Sequence, residues 1–203
     1  MKKLFLLFIL ISGFAFGQEY QTYSLSTFPE IPLKVYAFKG NKEGKFEIRV
    51  QIPARETYSK TYLQLNDKNY SNFMEMVNLS RTKFVEWSKV AEENKVNDMT
   101  KEIKKNEKDV LYYLDASFEE NGKFYSSTFS TVGYYFRILD GKPLLIFMNV
   151  LDLSASQNRY IKNKGYTLAF NSVDEIDNFI KMLDLTKINN FLNGTSATQE
   201  LFK

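Results

Sequence analysis

The 203-residue chain contains no cysteine and no histidine. Their absence removes thiol nucleophiles, disulfides, imidazole acid–base chemistry and the usual zinc, iron–sulfur and haem-attachment sites. Glycine is scarce at nine residues and proline scarcer at four. No G-x-G-x-x-G or G-x-S-x-G motif occurs, so neither a dinucleotide fingerprint nor a nucleophile elbow is present. Gly40-Asn-Lys-Glu-Gly44-Lys45 has one residue too few between its glycines for a phosphate loop, and Phe46 stands where a magnesium-binding hydroxyl belongs. Only hard oxygen ligands remain for a metal, and no D-x-D-x-D-G loop arranges them. No cofactor is expected.

What is present begins with an export signal. Lys2 and Lys3 precede the apolar run Leu4–Ile11, and Ala15-Phe16-Gly17 sets small residues at the positions a signal peptidase reads. The apolar stretch ending at Phe16 is shorter than the roughly 20 residues that span a bilayer. Residues 1–17 are therefore expected to be a signal peptide, with the mature chain starting at Gln18 after cleavage near Gly17-Gln18. Removing Lys2 and Lys3 takes two units from the net charge of +3 and leaves a nearly neutral protein at +1. Lys, Asn, Phe and Tyr are abundant beside only five Arg, as in AT-rich bacterial genomes. An exported protein of the bacterial periplasm or exterior is expected, with no stable membrane insertion after cleavage.

The densest basic stretch, Arg81 to Lys108, is interleaved with Glu86, Glu92, Glu93, Asp98, Glu102 and Glu107. Mixed signs at helical spacing describe a solvated helix face, which argues against nucleic acid as a partner.

The pattern predicts one α+β domain over 18–194, followed by a polar tail over 195–203. Its antiparallel sheet combines N-terminal strands and a meander, packed by a long central helix and a C-terminal helix. Phe46, Ile48, Val50 and Ile52 alternate against polar residues up to Pro53. Leu33–Phe38 supplies a partner strand across a 40–44 loop, and Tyr62–Leu65 a third. Phe73, Val77, Ser80, Phe84, Trp87 and Ala91 mark the apolar stripe of a helix from about Ser71, with Asn72 and Glu75 as its capped start. Residues 97–108 read as a polar connector, frayed or briefly helical. Ser172-Val-Asp-Glu175 is a capping box that opens an amphipathic helix through Ile176, Phe179, Ile180 and Leu183, and a further turn or two carries Ile188, Phe191 and Leu192 until Gly194 closes it.

Asn121-Gly122 and Asp140-Gly141 are two-residue hairpin turns and fix register. The first pairs Phe118 with Tyr125, Ala116 with Ser127, Leu114 with Phe129 and Tyr113 with Ser130. The second pairs Tyr134 with Phe147 and Phe136 with Leu145 on one face. Tyr135 with Ile146, Arg137 with Leu144 and Gly133 with Met148 form the other. Both of its faces are apolar, so something covers each of them. The first face suits the long helix. For the second, packing against the C-terminal helix or N-terminal strands competes with an apolar small molecule or a protein partner meeting Tyr113, Tyr135, Leu144, Ile146 and Met148.

Ser80-Arg-Thr-Lys83 matches the S-x-x-K spacing, but the companion S-D-N and K-T-G motifs are missing. Asp109, Asp115, Glu119, Glu120, Asp140 and Asp152 lie on or near the meander, so a carboxylate pair for glycan hydrolysis is the alternative to a non-catalytic binding or accessory protein.

Overall fold

The computed structural model describes residues 18–40, 45–55, 60–106 and 112–194. Residues 1–17, expected from the sequence to be a signal peptide, the interior of the 40–44 loop and the tail 195–203 lie outside the described residues.

Alternating apolar residues build the first four strands, β1 (Gln18–Tyr23), β2 (Leu33–Lys39), β3 (Phe46–Ile52) and β4 (Thr61–Asn66). Leu33, Val35, Ile48, Val50, Leu63 and Leu65 point inward and are buried. The long helix α1 (Tyr70–Glu93) follows, then β5 (Met99–Glu102), β6 (Tyr112–Glu120), β7 (Lys123–Leu139) and β8 (Lys142–Asn149). The chain ends with β9 (Leu153–Ala155), β10 (Asn158–Asn163), β11 (Thr167–Phe170), α2 (Val173–Met182) and α3 (Leu185–Leu192). The main sheet is antiparallel in the order β1-β2-β3-β4-β6-β7-β8-β11, with β5 also on β7, while β9 and β10 pair separately. This is the α+β single domain that the pattern predicts.

All three helices pack on the inner face. Phe84 and Trp87 of α1 meet Phe136 edge-on, and Phe179 of α2 contacts Phe73, Phe147 and Phe170. Phe191 of α3 packs on Tyr20 of β1. Ser80 is a buried small residue on the α1 stripe, and Lys83 is bound to Glu86 at 2.7 Å, so the S-x-x-K spacing reflects packing. Burying this aromatic layer contributes about 1.5–3 kcal/mol per fully covered ring.

Four sequence expectations need correction. First, α1 starts at Tyr70 rather than after an Asn72–Glu75 box. Asn69 precedes it, and the Asn69 amide is engaged by the turn instead, accepting from Asn66 N at 2.8 Å and donating to Gln64 O at 3.1 Å. Second, residues 99–102 are a strand, not a connector or a helix. The far half of β7 has a free edge beyond β6, and β5 occupies it with Glu102 opposite Tyr135.

Third, the pairing of the first hairpin holds only to Ala116–Ser127. Beyond it Leu114 meets Ser130 and Tyr113 meets Thr131, because β7 carries one extra residue between Ser127 and Ser130. The reason lies in parity. Tyr125 and Ser127 face inward at odd positions, whereas the second hairpin requires Tyr134, Phe136 and Ile138 inward at even ones. Both hairpins share the single strand β7, and a β-bulge switches its facing midway. The second hairpin has the expected register from Leu139–Lys142 to Gly133–Met148. Fourth, the closing helix breaks at Leu183-Asp184. There the Asp184 carboxylate caps α3 by accepting from Thr186 N and Lys187 N. The Ser172 cap of α2 is present, since Ser172 Oγ accepts from Glu175 N at 3.3 Å.

The sheet curls until β3 meets β11. Ala54 bridges Tyr166, and Arg55 N donates to Gly165 O at 2.8 Å. Asn149 locks this junction: its amide donates to Leu151 O at 2.6 Å and Lys164 O at 3.1 Å and accepts from Tyr166 N at 2.6 Å.

Candidate functional site

Because the helices share one face, the opposite face of the sheet carries the surface chemistry. Two regions of it stand out.

On the β7–β8 half, the register places Tyr135 beside Ile146, Arg137 beside Leu144 and Gly133 beside Met148. All but Gly133 are half-buried. The five predicted residues are thus on one face. Tyr135, Leu144, Ile146 and Met148 form a contiguous strip, and Tyr113 stands apart on β6 at 55% exposure. The Tyr135 ring lies across Gly133, where an added Cβ would come within 2.5 Å of it. The aromatic side chain covers backbone that glycine leaves bare. Burial, followed by the nearby Glu102 carboxylate, raises the Tyr135 phenol above its ordinary value, so its hydroxyl stays protonated. Arg137 Nε is buried within this strip with no hydrogen-bond acceptor among the described residues.

On the N-terminal half, a shallow trough of about 560 Å³ crosses five strands, from Phe38 on β2 through Arg49 and Gln64 to Asp115 and Ser126. Sequence reading missed it. Most of its side chains are the polar partners of alternating strands, which look like solvent positions until the fold brings five strands together at one trough. The Arg49 guanidinium lies 4.7 Å from the Phe38 ring and 5.5 Å from the Phe124 ring, and its Nε donates to Glu47 at 2.6 Å. Two ring faces and a carboxylate therefore fix its orientation. Tyr62 links Tyr36 and Phe124 at centroid distances of 6.3 and 5.3 Å. Burial, then Tyr36 and Glu119, push the Tyr62 phenol up to about 12.

Of the carboxylates flagged in the sequence, Asp115 lines the trough, Glu119 pairs with Lys60 at 3.2 Å and Asp152 pairs with Lys164 at 3.1 Å. Glu120 and Asp140 flank or occupy hairpin turns, and Asp109 lies outside the described residues. The Glu175 carboxylate is fully engaged in the fold: one oxygen accepts from Ser26 N and Oγ, both at 2.7 Å, and the other from Asn171 N at 2.9 Å. Asp177 pairs with Arg81. Among the described residues no group of three or more acidic side chains is placed to hold a metal, and no helix is long and apolar enough to cross a membrane.

No family model, no curated protein and no solved structure matches this chain.

Proposed function

We propose that the chain is an exported, non-catalytic binding or accessory protein and that the β7–β8 strip is its contact surface for a protein partner. The carrying observation is the combination of Tyr135, Leu144, Ile146 and Met148 on one face with the buried, acceptorless Arg137 Nε among them. A buried donor left unpaired costs about 1–3 kcal/mol, and turning the Arg137 side chain outward to meet a partner's acceptor removes that cost. An open sheet face suits a protein better than a small apolar molecule, because small-ligand sites are concave and enclose most of the ligand. Export is the reading of the leader, Lys2-Lys3 followed by the apolar run from Leu4 and small residues at Ala15 and Gly17. The non-catalytic reading rests on Glu47, whose carboxylate is committed to Arg49, and on the openness of the trough, which leaves reacting groups in water.

A photo-crosslinking side chain placed at Leu144 or Ile146 in the native host tests this surface. The expected result is a discrete protein adduct from both positions and none from Glu93 at the exposed end of α1. Absence of an adduct from the strip refutes the proposal. Release of reducing ends from a glycan, abolished by Glu47→Gln or Asp115→Asn, would replace it with the carboxylate-hydrolase alternative.

A further inference from the structure

Beyond that surface, we infer that the trough on the N-terminal half binds a neutral oligosaccharide. Three features carry this. The first is charge. The ionised side chains lining the trough are Lys39, Arg49, Glu47 and Asp115, two of each sign, so its formal charge sums to zero. An anionic ligand would meet the Glu47 and Asp115 carboxylates, and a cationic one Lys39 and Arg49. A neutral ligand meets neither penalty.

The second is the pattern of donors and acceptors. Arg49 is held by Glu47 and two rings, while its Nη atoms have no hydrogen-bond partner among the described residues. They present a preorganised fork of donors. Gln64 adds a side-chain amide, and Asn66 and Ser126, also in the lining, add further polar atoms. Vicinal hydroxyls, each both donor and acceptor, match such an alternating set.

The third is aromatic. Phe38 lines the trough, and the Arg49 guanidinium that contacts it also contacts Phe124, which borders the trough at 48% exposure and stands next to Tyr62, with Tyr36 beyond it. A pyranose carries an apolar C–H face as well as its hydroxyl rim, and exposed rings beside fixed polar groups accommodate both at once. An extended peptide fits less well. Peptides commonly add to a sheet through main-chain hydrogen bonds at an edge. The trough instead lies across the face of interior strands whose backbone groups are already paired.

The length of the trough across five strands suits several sugar units, so hexasaccharides are the probes. Cellohexaose, chitohexaose and maltohexaose are titrated into the mature protein, with the Arg49 Nε–H resonance and calorimetry as readouts. At least one is expected to bind saturably below about 1 mM. Phe124→Ala and Arg49→Lys are each expected to weaken that binding about tenfold or more while the melting temperature of Phe124→Ala stays within about 2 °C of the parent. The exposed position of Phe124 keeps the test valid even if Arg49→Lys disturbs the fold. No saturable binding by any of the three overturns the inference, as does binding that both variants leave unchanged. An uncharged extended decapeptide that shifts the Arg49 resonance while the saccharides do not assigns the trough to peptides and equally overturns it.

Discussion

Replacing Gly165 with alanine sets two physical costs against each other and lets their sizes be separated. Gly165 has φ of +80°, and an added Cβ would lie 2.2 Å from both the nitrogen and the oxygen of the Asn149 amide. The left-handed conformation alone costs a non-glycine residue about 1–2 kcal/mol, offset in part by about 0.4–1 kcal/mol from the stiffer unfolded chain. The steric clash is the larger matter. Asn149 is fully buried and cannot swing aside without surrendering its bonds to Leu151 O, Lys164 O and Tyr166 N. Each buried group left unpaired costs about 1–3 kcal/mol, so losing one or two brings the total to about 3 kcal/mol. For a domain of this size that is a fall in melting temperature of about 6–12 °C. Gly122→Ala is the control, since Gly122 has φ of +71° but nothing within 4 Å of its added Cβ. It should cost about 1 kcal/mol or less. In an Asn149→Ala background, itself destabilised, Gly165→Ala should fall to the same small value, which a double-mutant cycle of urea midpoints reads directly. Equal effects of Gly165→Ala and Gly122→Ala in the parent would refute the reasoning.

Three further perturbations follow from the same structure. Glu175→Ala strips acceptors from Ser26 and Asn171, freeing the segment around Ser26 from the start of α2, and should cost about 2–4 kcal/mol in urea unfolding. The Asp177 carboxyl is held below its ordinary value, first by the hydrogen bonds from Arg81. A lowered folded value means that its contribution is present at neutral pH and is lost as pH falls through that value, below about pH 4. Asp177→Asn should therefore flatten the acid limb of the stability–pH curve while changing neutral stability by under about 1 kcal/mol, because the pair is solvent-accessible. Deleting Thr128 removes the extra residue of the β7 bulge and should abolish the dispersed amide spectrum, whereas Thr128→Ala, at an exposed position, should retain it.

The contrast between the two hairpins shows what a sequence conveys. Asp140-Gly141 fixed every pair down to Gly133–Met148, because turn geometry and alternation agree along the whole hairpin. Asn121-Gly122 fixed pairs only to Ala116, since each turn reports on its own flanks and neither reveals that both flanks belong to one strand. The odd-to-even conflict between Ser127 and Tyr134 was nevertheless written in the residues. Two turns feeding a common strand with opposite facing require an odd insertion between them. Strand β5 had no such trace. Its side chains are mostly exposed, so no alternation marks it, and it exists because β7 offers an unpaired edge. The strip at Tyr135, Leu144, Ile146 and Met148 was legible from two-sided hydrophobicity. The trough was not, because Phe38, Arg49, Gln64 and Asp115 reach it from four separate strands, and a linear pattern carries no record of sheet curvature.

The meeting of β3 with β11 also governs when the fold is able to form. Arg55 Nε donates to Thr167 Oγ1 at 3.0 Å across 112 residues of chain, and the neighbouring backbone bonds span a similar separation. Contacts between such distant segments form late and slowly, since the entropy of closing the intervening loop must be met before they stabilise anything. A chain emerging from its amino end would complete β1–β4 and α1 long before β11 exists. Until then the end of β3 remains an unfilled seam. Such a seam is the segment most exposed to mispairing in a half-made chain, and residues 165–167 are the fastening that retires it.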